Sequence, residues 1–221
     1  MKRALVIGAS GGIGSAMCAE FTRRGYDVVG VSRSLDGLDV TDEASVAEVL
    51  GRLEGQFEVV FNATGALEVD GAAPEKSVRQ LDAKAMSDQF AVNCIGPALV
   101  LKHAARLLPK EVRSVLAVLS ARVGSIGDNR LGGWHSYRAS KAAVNQIVRG
   151  AAIELGRTHK DCICVALHPG TVATEFTRKY LGRHPAVEPE VAAARLVDVI
   201  EGLQPAQSGG FYDYAMKEIP W

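Results

Sequence analysis

A tyrosine and a lysine four residues apart, Tyr137 and Lys141 in Trp134-His-Ser-Tyr-Arg-Ala-Ser-Lys, are a pair that can move protons. On a helix, positions i and i+4 share a face, so the Lys141 ammonium can lie beside the Tyr137 phenol and favour its ionised form. A phenol that normally titrates near pH ~10 would then exchange protons near neutrality. Spacing alone also fits a solvated helical face carrying an amphipathic aromatic. The chemical reading gains weight from a run far upstream, Val6-Ile-Gly-Ala-Ser-Gly-Gly-Ile-Gly14. There Gly8, Ser10, Gly11, Gly12, Ile13 and Gly14 follow a short apolar strand candidate and open an apolar helix candidate, so backbone amides can face a phosphate. The spacing Gly8-x-x-x-Gly12-x-Gly14 departs from the commoner Gly-x-Gly-x-x-Gly, and a plain strand-to-helix turn is the alternative. With a strand before it and a helix after it, dinucleotide binding is the stronger reading.

Ser32 and Arg33 follow the second strand candidate, where an enzyme preferring the unphosphorylated cofactor places a carboxylate for the ribose hydroxyls. A guanidinium with a neighbouring hydroxyl instead suits a 2′-phosphate, which favours NADP over NAD. An exposed arginine after a strand is the plain alternative. Further on, Asp39 and Val40 in Leu38-Asp-Val-Thr-Asp42 either reach an adenine edge or form a turn and helix cap.

The elements that would position these residues alternate β and α, the pattern of a doubly wound parallel sheet covered on both faces. Strands are expected at 4–7, 27–31, 59–62, 114–119, 163–167 and 210–212, and helices at 13–24, 43–52, 85–107, 137–157 and 189–203. Gly25 suits the C-terminus of the first helix, and Pro189 the first turn of the last. Residues 33–39 are too few for a crossover helix, so the segment after the second strand is shortened.

A chain of 221 residues fits one domain with a sizeable core. Its 25 basic residues balance 25 acidic ones, which argues against a nucleic-acid or anionic-membrane surface. No apolar stretch approaches the ~20 residues of a membrane span. The opening Met1-Lys-Arg-Ala-Leu-Val-Ile-Gly8 reads as a buried strand rather than a leader, because the apolar run stops at Gly8. Cys18, Cys94, Cys162 and Cys164 contain no Cys-x-x-Cys and sit in apolar contexts, so reduced thiols, no metal and a cytoplasmic location are expected. Cys162 and Cys164 can share one strand face, which leaves a small redox possibility.

With these residues in view, positions 2–174 resemble the short-chain dehydrogenase/reductase family. The motifs come in order: Gly8 to Gly14, Asp39-Val40, Asn62-Ala63-Thr64-Gly65, Asn93, Tyr137 with Lys141, and Pro169-Gly170-Thr171-Val172-Ala-Thr174. The stretch from Gly124 to Lys141 and the ending Gly-Gly-Phe-Tyr-Asp-Tyr…Ile-Pro-Trp resemble the C-factor and sniffer-like carbonyl reductases. The resemblance implies a single-domain Rossmann fold using a nicotinamide cofactor. Tyr137 would be the general acid or base, Lys141 would hold the ribose hydroxyls and lower the phenol's pKa, and Asn93 would kink its helix and hold a relay water. Pro169 to Thr174 would meet the nicotinamide end, and Asp39-Val40 the adenine. A homodimer or homotetramer is implied, paired through the two long central helices, with Ala142, Ala143 and Gly150 allowing close packing.

The family's carbonyl-polarising serine, about thirteen residues before the tyrosine, is replaced here by Gly124. Aligning on the strand gives that role to Ser120, whereas aligning on Gly124 puts Ala121 there and leaves Ser120 one position early. A one-residue slip on a strand reverses the face. Ser120 is the assignment, with Ser125 the substitute. Phe176, Tyr180 and Trp134 can line a fairly open substrate cleft, while Arg178, Lys179, Arg183 and His184 either draw an acidic substrate or are a solvated charge run. The leading expectation is an NADPH-dependent reductase of aldehydes or ketones. Its alternatives are a regulatory or signalling protein that binds the cofactor with little catalysis, or a different doubly wound nucleotide binder.

Overall fold

A computed structural model describes residues 1–181 and 185–221. Six strands, β1 (Arg3–Ile7), β2 (Asp27–Val31), β3 (Val59–Asn62), β4 (Ser114–Leu119), β5 (Cys162–His168) and β6 (Phe211–Asp213), form one all-parallel sheet in the order β2-β1-β3-β4-β5-β6. The leader-like opening is indeed β1, with Ala4, Leu5, Val6 and Ile7 fully buried.

Side chains alternate between the faces of each strand, and each face has its own helices. On one, α1 (Gly12–Arg23) and α7 (Pro189–Gly202) pack Met17, Phe21, Leu196 and Ile200 against Val6, Phe61, Ala117 and Val165. On the other, α3 (Glu43–Gly51), α5 (Gly96–Ala104) and α6 (His135–Thr158) pack Leu50, Leu101, Val144 and Val148 against Leu5, Val60, Leu116 and Cys164. Cys162 and Cys164 both face this second layer as free buried thiols, and burial raises the pKa of each. Reactive thiol chemistry needs the opposite shift.

After β2 the chain makes only α2, the single turn Arg33–Asp36, and stops it at Gly37 in a left-handed conformation (φ 73°). No strand follows before α3, so β2 remains the sheet edge, as the short spacing requires. The helix expected over 85–107 is instead broken into α4 (Ala83–Phe90), a π-helical turn (Ala91–Ile95), α5 and a final 3₁₀ turn (Ala105–Leu107). The break falls on Asn93, whose side-chain amide bonds Ala66 outside the helix and Gln89 one turn before it. The first helix ends as expected, with Gly25 left-handed and the Tyr26 amide donating to the Phe21 carbonyl at 3.0 Å.

Candidate active site

Strand order reverses between β1 and β3, the place where open α/β sheets form a crevice beyond their carboxyl ends. Gly8 leaves β1 in a left-handed conformation (φ 88°), and its carbonyl lies so close to Gly14 that any Cβ there would collide with it. A Cβ on Gly12 would come within 2.8 Å of Thr174, so the turn also packs tightly on the chain after β5. Helix α1 starts without a side-chain cap or an acidic residue in its first turn, which leaves the amides of its first turn for an outside acceptor. The cradle fits an anionic pyrophosphate.

This turn opens on a cavity of about 790 Å³. Ser10, Gly11, Gly12, Ile13 and Gly14 line one end; Ala63, Thr64 and Gly65 line the side; Ser120, Tyr137 and Lys141 face them; Pro169, Gly170, Thr171, Val172 and Thr174 close the far wall. Four loops, the start of α1 and one face of α6 thereby bring together residues spread over most of the sequence. Gly8, Ser32, Arg33, Asp39, Val40, Asn62 and Asn93 are not in that lining. Asn62 accepts from the Thr64 amide and hydroxyl at 3.0 and 2.7 Å and shapes the loop from behind. Asp39 accepts from the Thr41 amide and hydroxyl at 2.9 and 2.7 Å, the turn arrangement, while Val40 packs against Gly96. Ser32 is buried and caps α2 through the Leu35 amide, whereas Arg33 is exposed and has no carboxylate partner among the described residues. Of that pair only the guanidinium is open to a ligand.

Tyr137 and Lys141 lie on the buried face of α6, 6% and 3% exposed. The Tyr137 hydroxyl has no hydrogen-bond partner among the described residues, and its ring meets Trp134 and Phe176 at centroid distances of 6.2 and 6.5 Å. Lys141 Nζ donates to the Leu119 carbonyl at 3.2 Å and stands 5.8 Å from the Tyr137 ring centre. Burial raises the phenol above its ordinary pKa and pushes the Lys141 amine down to about 8. The expected lowering of the phenol by Lys141 is therefore corrected: desolvation dominates, and Tyr137 holds its proton at neutral pH. Asn93 Oδ1 accepts from the Ala66 amide at 2.9 Å, and Nδ2 donates to the Ala66 carbonyl at 2.8 Å and to Gln89 at 2.6 Å. Both its amide hydrogens are taken by protein partners, so the Asn93 side chain fixes the loop beside Lys141.

Ser120 sits one residue past β4, 4% exposed, and donates to Asn145 Oδ1 of α6 at 2.6 Å. Ala121 lines the same cavity. Ser125 is outside it, with its hydroxyl donated to the Pro220 carbonyl and accepting from the Asp128 amide. As a substitute for Ser120 it is unsuited.

Several participants gave no signal in the sequence. Glu75, in the long loop between β3 and α4, is buried and accepts from both the amide and the hydroxyl of Ser136 at the start of α6. Burial raises its carboxyl pKa, but the Ser136 donors outweigh that and leave it below the usual range. A carboxylate there also suits the positive end of the helix, so Glu75 anchors the turn that carries Tyr137. Gly132, Gly133 and Trp134 all adopt left-handed conformations just before it. His168 lines the cavity with its Nδ1 buried and unpartnered, and burial pushes its pKa down to about 4. Trp134, Phe176 and Tyr180 do line the cavity, as expected. Of the basic run, Arg178 pairs with Glu175 and Lys179 with Glu68; Arg183 and His184 lie outside the described residues.

A family model described as enoyl-(acyl carrier protein) reductase matches residues 8–199. The 1-hydroxy-2-glutathionyl-2-methyl-3-butene dehydrogenase of Rhodococcus sp. strain AD45 is 33% identical over 96% of this chain and 96% of its own. A short-chain dehydrogenase/reductase of Burkholderia multivorans, solved with bound NADP, is 29% identical with a TM-score of 0.83, over 100% of this chain and 99% of that one. Carbonyl reductase Sniffer of D. melanogaster shares the fold, with a TM-score of 0.85 at 20% identity over 100% of both chains. The chain is an oxidoreductase and belongs to the short-chain dehydrogenase/reductase family.

Proposed function

We propose that the protein is an NADPH-dependent reductase of aldehydes or ketones. The observation that carries this reading is a buried Tyr137 sharing one cavity with an uncapped glycine turn. NADP bound to the Burkholderia relative supports the cofactor, and the exposed Arg33 after β2 supports its 2′-phosphate. The turn from Ser10 to Gly14 would hold the pyrophosphate, Lys141 the ribose hydroxyls, and Pro169 to Thr174 the nicotinamide end. When bound, the cofactor supplies a hydride to the carbonyl carbon.

The chain's own residues handle the oxygen. Tyr137 Oη gives its proton to that oxygen as charge develops there; burial alone makes the phenol a weaker acid, so the transfer depends on the Lys141 ammonium beside it. Lys141, still mostly charged at neutral pH, stabilises the phenolate left behind. Ser120 polarises the carbonyl through its hydroxyl. Leu67, Trp134, Phe176 and Tyr180 form an apolar wall, which suits carbonyl compounds with a hydrophobic body. The Rhodococcus relative is named as a dehydrogenase, so alcohol oxidation with NADP belongs in the same assay.

The test is NADPH consumption with a panel of aromatic and aliphatic aldehydes and ketones, comparing the parent protein with Tyr137→Phe. Turnover is expected with apolar carbonyls, and the substitution is expected to lower kcat by about 10²- to 10⁴-fold. Equal rates in the two proteins contradict the assignment. One observation favours a second reading, a cofactor-binding regulatory protein: the Ser120 proton is donated to Asn145. Tight NADPH binding without turnover on the whole panel would support that reading instead.

A further inference from the structure

Asn145 lies two turns beyond Tyr137 and one beyond Lys141 on the buried face of α6. Across from it, Leu116 and Val118 of β4 point toward α6, and Ser120 continues that alternation past the strand end. The two side chains meet at 2.6 Å with Ser120 4% and Asn145 2% exposed, out of contact with bulk water. Asn145 Oδ1 accepts the single hydroxyl hydrogen of Ser120, and Asn145 Nδ2 is buried with no partner among the described residues. A bare buried N–H₂ is a rarer condition in folded proteins than an under-satisfied carbonyl. The two ends of a carboxamide have nearly the same outline. A half-turn of the amide therefore keeps the packing and puts Nδ2 against the Ser120 oxygen.

We propose that Asn145 is a positioning residue for the reaction: its amide donates to the Ser120 oxygen and so directs the serine hydrogen into the cavity, toward the substrate carbonyl. This rests on the assignment of Ser120 as the carbonyl-polarising group. A hydroxyl has one hydrogen and two lone pairs. If Asn145 takes the hydrogen, Ser120 can offer an oxyanion nothing; if Asn145 gives one, the serine keeps its own for the substrate. The amide orientation thus decides whether the Ser120 hydroxyl can serve the substrate carbonyl. Helix α6 then supplies the proton donor, the ammonium and the support of the oxyanion donor from one face.

Two measurements test this. The first is a double-mutant cycle on kcat and KM with NADPH and the aldehyde turned over fastest in the panel. Ser120→Ala is expected to lower kcat by ~10²-fold, the loss of one oxyanion donor. Asn145→Leu, of similar volume, is expected to lower kcat by ~10-fold through misorientation with KM unchanged, and to have no effect in the Ser120→Ala background. The second follows the side-chain amide of Asn145 by ¹⁵N NMR in the cofactor-free protein, assigned by its loss in Asn145→Leu or, if that variant does not fold, in Asn145→Asp. Removing the Ser120 oxygen is expected to shift one Nδ2 proton upfield. An unchanged amide resonance in Ser120→Ala, or the same fold-loss from Asn145→Leu in both backgrounds, overturns the role of Asn145 while leaving Ser120 standing. If Ser120→Ala itself keeps full kcat, the serine assignment fails, and the proposal with it.

Discussion

Burial acts on Tyr137 and Lys141 in opposite directions, because it penalises the charged form, phenolate in one and ammonium in the other. The Lys141 amine is lowered to about 8 in the folded chain, whereas an unfolded lysine titrates near ~10.4. Between those values the unfolded chain holds a proton that the folded chain has released, so stability rises with pH across that window. Below about 8 the cost of the buried charge is fully present. Lys141→Met should therefore stabilise the cofactor-free protein at neutral pH by on the order of 3 kcal/mol while abolishing turnover. Urea denaturation from neutral pH to pH ~10 checks this, and a destabilised variant without the change in slope would refute it. The paired spacing of Tyr137 and Lys141 was readable from the sequence, but the direction of the phenol shift was not. Spacing reports proximity, whereas desolvation depends on Trp134, Phe176 and the sheet that enclose the pair. The sequence assigned the carbonyl-polarising role to Ser120 but could not show that its hydroxyl donates to Asn145, twenty-five residues further on.

Helix α6 is held at its start by Glu75, a contact across sixty-one residues. Glu75→Ala leaves the Ser136 hydroxyl and amide without their acceptor in a buried place, which should cost about 1–3 kcal/mol. The displaced first turn should also lower kcat, because Tyr137 follows Ser136 directly. Thermal melting and steady-state kinetics on the same variant check both, and an unchanged kcat would show that the turn keeps its place without the carboxylate. Such a contact has no sequence signature: the loop from 66 to 77 carries no periodicity, and Glu75 looks like any surface glutamate. The glycine turn was legible because its parts are adjacent, strand, Gly8, then helix. The π turn at Asn93 left no mark in the helical patterning of 85–107; only the family resemblance pointed to a kink there, and the pairing with Ala66 and Gln89 accompanies it.

For the molecule as a whole, alternation of β-branched runs and amphipathic helices was enough to give the parallel sheet, because its central strands are buried on both faces and read as apolar runs. The missing strand after β2 followed from simple reach. How copies of the chain associate does not follow from these rules, since it depends on surfaces the fold leaves outside. Along the outer side of α6, Ile147 and Ile153 are exposed around Gly150, where an added Cβ would meet nothing within 4 Å. That open apolar strip supports pairing of two copies through α6, and sedimentation velocity is expected to show a dimer or tetramer; only monomer at micromolar concentration would refute it. The central claim is that the glycine turn and Tyr137 serve one reaction. Its most direct test is a single turnover with NADPH deuterated at C4 of the nicotinamide and an apolar aldehyde from the panel. The label should appear on the carbinol carbon of the product with the parent protein and arrive ~10²-fold or more slower with Tyr137→Phe. Tight NADPH binding with no label in any product would contradict the account.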